Sequence, residues 1–369
     1  SDKVSCDFIA LSAPGVRDLQ PYQPGKPVEE LQRELGLSDV VKLASNENPL
    51  GPSDKVRESL QAVLPELSRY PDGSAYLLKK ALGEHLGVAE DRITIGNGSN
   101  DLLELVARVF LLPGDEAIVS QHAFVVYPLV VKAVGAELIT VPAKNWAHDL
   151  AAMAAAVTDK TRMLFIANPN NPTGTWTPET DLIELLQQVP ESVLVILDEA
   201  YFEYVQDAAY PNGLALAEQF PNLVITRTFS KVYGLASLRV GYSVSHADIA
   251  DLMNRIRQPF NVNAMSLAAA EAALADQEYV KRCVAENASG MQQLVDGLEQ
   301  LGVGYIPSVG NFVTLDVGGD AMPTYQALLR EGVIVRPIGV YEMPNHLRVT
   351  VGLEAENRRF LDALQKVMQ

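Results

Sequence analysis

The sequence predicts an α/β protein: a large domain on a mostly parallel central sheet flanked by helices, followed by a smaller α+β domain. Three observations carry that expectation. Short β-rich runs alternate with helical stretches from about residue 90 to 250, the texture of strands joined by crossover helices. Past Pro259 the pattern changes to Ala-rich helical sequence and then to short strands. The length, 369 residues, suits two domains of roughly 150 residues or more, and 48% hydrophobic with 20% charged residues is a globular composition. A chain of this size buries roughly three quarters of its unfolded surface, so it needs no disulfide or metal staple.

Taken in order, the first forty residues hold Pro14, Pro21, Pro24 and Pro27 and read as an extended arm. The large domain is expected over 41–262, with strands at 93–95, 117–119, 137–141, 162–167, 193–197, 223–226 and 239–244. Between them, 100–110 and 178–188 read as amphipathic helices, the second with Thr177 as N-cap and Pro178 at its first position. The small domain is expected over 263–369. It holds an Ala-rich helix at 266–275, helical sequence to Leu301, strands at 313–316, 333–335 and 347–351, and a last helix from Glu354. In such folds ligands gather at the carboxyl ends of the strands.

Formal charge is −17, which repels phosphate backbones and anionic lipid at long range and argues against nucleic acid or a membrane surface as partner. A small anionic ligand is not excluded, because a pocket needs only a few local cations and backbone N–H groups. No apolar run approaches the roughly 18 residues of a membrane span. Residues 1–7 lack the regions of a signal peptide, so a cytoplasmic protein is expected. Cys6 and Cys283 are far apart and read as reduced thiols, and the five scattered histidines make no i, i+4 pair, so no metal site is expected.

Chemistry concentrates in loops that follow strands. Gly96-Asn97-Gly98-Ser99-Asn100-Asp101 would open a helix whose free N–H groups can cup a phosphate, although a tight turn explains it equally well. It lacks the third glycine of a dinucleotide fingerprint, and no GxxxxGK occurs. Asn168-Pro169-Asn170-Asn171-Pro172-Thr173-Gly174 fixes a rigid bend with amide side chains at a strand end. An apolar run ends in Asp198-Glu199-Ala200-Tyr201, and a buried strand-end carboxylate is costly unless a cation or strong donor meets it; a helix cap is the plainer use. Finally Thr226-Arg227-Thr228-Phe229-Ser230-Lys231, with Arg239 at the head of the next strand, offers a lysine that burial could turn into an amine nucleophile.

Together these parts are what holding pyridoxal phosphate requires, and their order and spacing resemble the fold type I pyridoxal-phosphate-dependent aminotransferases over nearly the whole chain. The resemblance implies that Lys231 is the Schiff-base and proton-moving lysine, that Asp198 meets the pyridine nitrogen, and that Asn171 and Tyr201 donate to the ring oxygen. It implies phosphate contacts from Gly98, Ser99, Asn100, Thr228, Ser230 and Arg239, and a ring-stacking role for Phe124, where His122-Ala123-Phe124 departs from the usual Pro-Thr-aromatic pattern. Flanking segments resemble the branch of the family that acts on L-histidinol phosphate: Pro21-Tyr22-Gln23-Pro24-Gly25, Leu43 through Pro49, Arg69-Tyr70-Pro71-Asp72, and Leu347 through Gly352. They imply 2-oxoglutarate as acceptor, with L-glutamate and imidazole acetol phosphate as products, in histidine biosynthesis. They also imply substrate binding by Tyr22, Asn171, Arg336 and Arg348, an arm that is part of the small domain and serves as substrate lid, and a homodimer in which Tyr70 crosses into the neighbouring site.

An aromatic amino-acid aminotransferase or a threonine-phosphate decarboxylase would keep every cofactor residue and differ only around the substrate. A non-catalytic pyridoxal-phosphate-binding regulator is disfavoured because no basic patch accompanies this acidic chain. A nucleotide-dependent α/β enzyme is disfavoured by the missing glycine fingerprints.

Overall fold

Runs such as Leu194–Asp198, buried at every position, belong in the middle of a parallel sheet covered on both faces. A computed structural model describing residues 6–369 places that run there; residues 1–5 of the expected arm lie outside the described residues. The strands are β1 (Val41–Lys42), β2 (Ile93–Gly96), β3 (Glu116–Ser120), β4 (Glu137–Val141), β5 (Thr161–Ala167), β6 (Leu194–Asp198) and β7 (Leu223–Thr228). They continue as β8 (Gly241–Val244), β9 (Gly304–Ile306), β10 (Phe312–Asp316), β11 (Val333–Ile334), β12 (Arg336–Pro337) and β13 (His346–Thr350). A seven-stranded sheet has the order β2-β8-β7-β6-β5-β3-β4. Its pairs are parallel except that β8 runs antiparallel to both β2 and β7.

Helices cover both faces. The helix Ser99–Phe110 buries Leu102, Leu103, Leu105, Val106 and Ala107, a helical-period apolar stripe, against Phe165 and Ile196. The helix Glu179–Gln188 buries Leu182, Leu185 and Leu186 on the opposite face, against Val195 and Leu197. Its first turn differs from the sequence expectation: Pro178 is the N-cap and Thr177 lies outside. The reason is Asn168, whose amide takes the Thr177 N–H at 2.8 Å and returns a bond to the Thr177 carbonyl at 3.2 Å.

A second, four-stranded antiparallel sheet has the order β12-β13-β10-β9 and packs on the helices Gln277–Gln300 and Glu354–Val367 through Leu294, Val313, Leu347 and Phe360. The strand expected at 333–335 is split. Val333 and Ile334 pair in parallel with Val41 and Lys42, whereas Arg336–Pro337 turns to β13 as an edge, where proline's missing N–H does no harm. The arm is less extended than its prolines suggested. It contains helices Phe8–Leu11, Pro14–Arg17 and Val28–Leu35, because Pro14 sits at a first helical position and Pro27 at an N-cap, where proline is tolerated. Leu31 of the third is buried against Ala44, Leu329 and Ile334. Among the described residues no helix is long and apolar enough to cross a membrane.

Candidate active site

The carboxyl ends of β5, β6 and β7 and the adjacent end of β2 bring four loops to one sheet edge, where the second sheet and the arm close over them. Between them lies a cavity of about 680 Å³. It is lined by Tyr22, Ser99, Asn100, Phe124, Asn171, Asp198, Tyr201, Thr228, Ser230, Lys231, Arg239, Arg336 and Arg348, so nearly every candidate from the sequence converges on it. Tyr70 does not. Its side chain is 82% exposed and stacks on Phe260 at 4.7 Å, away from this cavity.

At one end, Gly98 precedes the helix Ser99–Phe110 with φ 81 and caps it with no side chain, leaving the first-turn N–H groups facing the cavity. A Cβ on Gly98 would stand 2.7 Å from an Arg239 guanidinium nitrogen. Arg239 is not the head of a strand as expected. It adopts φ 55 ahead of β8 and folds back to donate to the Ala236 carbonyl at 3.0 Å and to Ser230 Oγ at 3.4 Å. That fold-back sets its guanidinium beside the helix N-terminus, an anion cradle of backbone and cation together.

Asp198 closes β6 and is 6% exposed. Burial holds its carboxyl above the ordinary value, and the Tyr127 hydroxyl, donating to Oδ2 at 2.5 Å, works against that rise. Tyr127 is the residue sequence reasoning missed. It sits in an apolar helix, Val126–Ala133, and reads as core, which half of it is: its ring stacks on Phe165 at 4.9 Å. No sequence signal links it to a carboxylate 71 positions away. Phe124 meets Tyr127 edge-on at 5.8 Å and lines the cavity.

Lys231 follows β7, and its ammonium donates to the Ser45 carbonyl at 3.3 Å. Burial, followed by the positive Arg348, pushes it down to about 8. Arg348, on β13, donates to Asn171 Oδ1 and to the Ala44 carbonyl, each at 2.6 Å, while its Nε is buried without a partner among the described residues. Arg336, opposite it in the register, donates to the Gln23 carbonyl and lies 5.6 Å from the Tyr22 ring. Tyr201 is buried, and its hydroxyl accepts from Asn46 at 2.9 Å, a second contact the sequence did not disclose. Among the described residues, none of the four cations lining the cavity is in an ion pair, and no His, Cys, Asp and Glu cluster could hold a metal. The arrangement therefore offers a buried amine of lowered pKa, a buried carboxylate, and unpaired cations at both ends: a receptacle for an elongated ligand anionic at its extremities.

Comparison with known proteins bears on which ligand. Residues 38–364 match the family model described as aminotransferase class I and II. The chain is 58% identical over 367 residues to histidinol-phosphate aminotransferase 2 of Pseudomonas fluorescens, covering 99% of both chains. It is 56% identical over 359 residues to histidinol-phosphate aminotransferase 1 of Idiomarina loihiensis, covering 97% of this chain and 98% of that one. Among solved structures it resembles histidinol-phosphate aminotransferase from Sinorhizobium meliloti in complex with pyridoxal-5'-phosphate, with TM-score 0.89, 32% identity and 97% of each chain covered.

Proposed function

The chain belongs to the class I and II aminotransferase family, and on that footing we propose that it moves the amino group of L-histidinol phosphate to 2-oxoglutarate, with pyridoxal 5'-phosphate as cofactor. The observation that carries this reading is the pairing of Lys231 and Asp198 in one cavity with Arg239 and a bare helix N-terminus at one end and Arg336 with Arg348 at the other.

The residues fit the cofactor on their own chemistry. The Gly98 position has no room for a Cβ beside Arg239, so backbone and guanidinium can close on a phosphate, with Ser99, Asn100, Thr228 and Ser230 supplying further donors. Asp198, buried and without an ion-pair partner among the described residues, suits a ring nitrogen that carries a proton. Asn171 and Tyr201 suit the ring oxygen and Phe124 the ring face. When bound, the cofactor supplies the electron sink that lets a proton leave the substrate carbon.

The chain's residues do the rest. Lys231, at about 8, keeps a useful neutral fraction at neutral pH, so its Nζ can act as nucleophile and then hold and return the proton. Asp198 keeps its side of the ring protonated, with Tyr127 orienting the carboxylate. Arg336 and Arg348 present planar forks that fit phosphate and carboxylate alike, so one anion site serves donor and acceptor in alternating half-reactions. Tyr22 covers that site from the arm as a lid.

The reading extends to a homodimer with shared sites. Its support is the exposed apolar group of Leu67, Tyr70, Tyr76, Leu77 and Phe260, from which Tyr70 would reach the neighbouring subunit's phosphate end. It also keeps a division into an arm (1–40), a large domain (41–262) and a small domain (263–369), for which the two separate larger sheets speak, while Val41–Lys42 pairs with Val333–Ile334 and the helix Ala264–Ala275 packs with Phe229 and Tyr242, both across the line between large and small domain. Two free thiols agree with a cytoplasmic location. The test is kcat/KM for histidinol phosphate, phenylalanine and aspartate with one acceptor. Histidinol phosphate should lead, and a lead for phenylalanine or aspartate overturns the substrate while leaving the family intact.

A further inference from the structure

We infer that Asn46 is a positioning residue for Tyr201: its amide occupies the phenol oxygen from behind and so sends the phenol proton into the cavity, toward the cofactor's ring oxygen. The inference deepens the reading above and rests on it.

The direction follows from hydrogen-bond accounting. Asn46 is 1% exposed, and its two amide ends are distinguishable by their surroundings. Thr350 Oγ1 accepts the Asn46 backbone N–H at 2.9 Å, so the threonine's own hydrogen is left for Asn46 Oδ1 at 3.1 Å. With Oδ1 engaged there, the NH₂ end faces Tyr201 and donates at 2.9 Å. A phenol has one proton, and a donor already fills its lone pair on the Asn46 side. That proton is therefore free for the cavity. Phe312, edge-on to the Tyr201 ring at 5.1 Å, limits any swing away. The charged groups facing the phenol are Arg348 and Asp198, with Lys231 5.6 Å from the ring. Burial pushes the phenol up, and Arg348 and the Asn46 amide hold it down.

The backbone supports the same purpose. Asn46 has φ 56, a left-handed conformation that Asn and Asp enter more readily than other side chains. Its carbonyl is tied by Asn311 Nδ2 at 2.7 Å. The two residues before it hold the site as well, Ala44 through Arg348 and Ser45 through Lys231. Consecutive positions of one strap thus each fix a different cavity group.

The experiment uses the cofactor-loaded protein without substrate and follows the pH midpoint of its visible absorption band. Asn46→Asp keeps the backbone but turns the neighbour into an acceptor, so the phenol donates backward and the ring oxygen loses one of its two donors, keeping Asn171. The midpoint should rise by about one pH unit, the worth of one ordinary hydrogen bond. Asn46→Gly tolerates the same φ, deletes the amide, and should give a smaller rise. In a Tyr201→Phe background both shifts should vanish. A rise that survives there is a through-space charge effect and overturns the inference, as do single-variant midpoints within about 0.2 unit of wild type. If Asn46→Asp does not fold, Asn46→Gly and Thr350→Val, which unlocks the amide, carry the same comparison. A wild-type protein with no visible band removes the cofactor reading itself, and the inference with it.

Discussion

Replacing Glu203 with Gln should reduce a pH-dependent loss of stability that originates beneath the cavity. Arg227 is buried at 3% side-chain exposure and donates to Glu199 Oε1 through Nε at 3.3 Å and Nη2 at 3.2 Å, its guanidinium 3.5 Å from the Phe202 ring centroid. Glu203 faces the same arginine, and among the described residues its sealed Oε1 has no partner. Two acids sharing one fixed cation in a dry place cannot both stay ionised cheaply, so the folded protein holds a proton there. Burial accordingly pushes both acids up to about 7 from 4.5, and the Gln variant reads the share that Glu203 carries. The sign follows: between those values the folded state keeps a proton that the unfolded state has released. The stabilisation is complete below the lower value and lost as pH rises through the upper one. At 1.36 kcal/mol per unit the window amounts to about 3 kcal/mol, or about 4 °C in Tm for a chain this long. Melting the cofactor-free protein from pH 4 to 8 reads it. The Gln variant mimics the protonated acid, so it should match wild type at pH 4 and exceed it by about 4 °C at pH 8. Parallel curves would refute the shared proton.

Three further outcomes follow from the cavity. Tyr127→Phe removes the hydroxyl that donates to Asp198 at 2.5 Å; a charge-assisted bond of about 1.5–3 kcal/mol should translate into a kcat loss of at least tenfold, with cofactor Kd moving less because the phosphate end is untouched. Gly98→Ala forces a side chain to φ 81 and into Arg239, so cofactor Kd measured on the apoenzyme should rise about tenfold, for roughly 1–2 kcal/mol of strain; an unchanged Kd would place the phosphate elsewhere. Mixing Lys231→Ala with Tyr70→Phe protein should regenerate activity from two crippled parents, and no recovery after subunit exchange would count against shared sites.

The parts of the site that were legible in the sequence are those written in one short segment each. The strand-end loops around Ser99, Asn171, Asp198 and Lys231 combine an apolar run with turn residues and a reactive group, and strand periodicity alone says they share a sheet edge. What the sequence could not disclose are relations between segments. Asn46 bonds to Thr350 304 positions away, and the two-residue strands β1 and β11 are too short to show any period. Tyr127 looks like core because its ring is core; only its oxygen is functional. Arg239 heads β-rich sequence yet stays outside the strand, since its left-handed backbone lets the side chain return to Ser230 and Ala236. Tyr70 is the reverse case: its segment was readable, but within one chain it has no site to join.

The same segment-to-segment geometry explains how a chain of net charge −17 can present an anion site. The acids responsible for that balance lie mostly on exposed helix faces, such as Glu29, Glu34, Asp54 and Asp251, where solvent and salt screen them within about 10 Å. The cavity cations are instead set against backbone carbonyls: Ala44 for Arg348, Ser45 for Lys231, Gln23 for Arg336, Ala236 for Arg239. A carbonyl satisfies a donor's hydrogen-bonding capacity without neutralising its charge, so each group stays oriented while its field remains unspent. A carboxylate partner would have held the same side chain more tightly and left nothing for a ligand, because the buried pair would have to be broken before phosphate could bind, at about 3–5 kcal/mol. Strap 44–46 therefore does two jobs with one stretch of backbone: it aims Arg348 and Lys231, and it does so without a carboxylate that would neutralise Arg348.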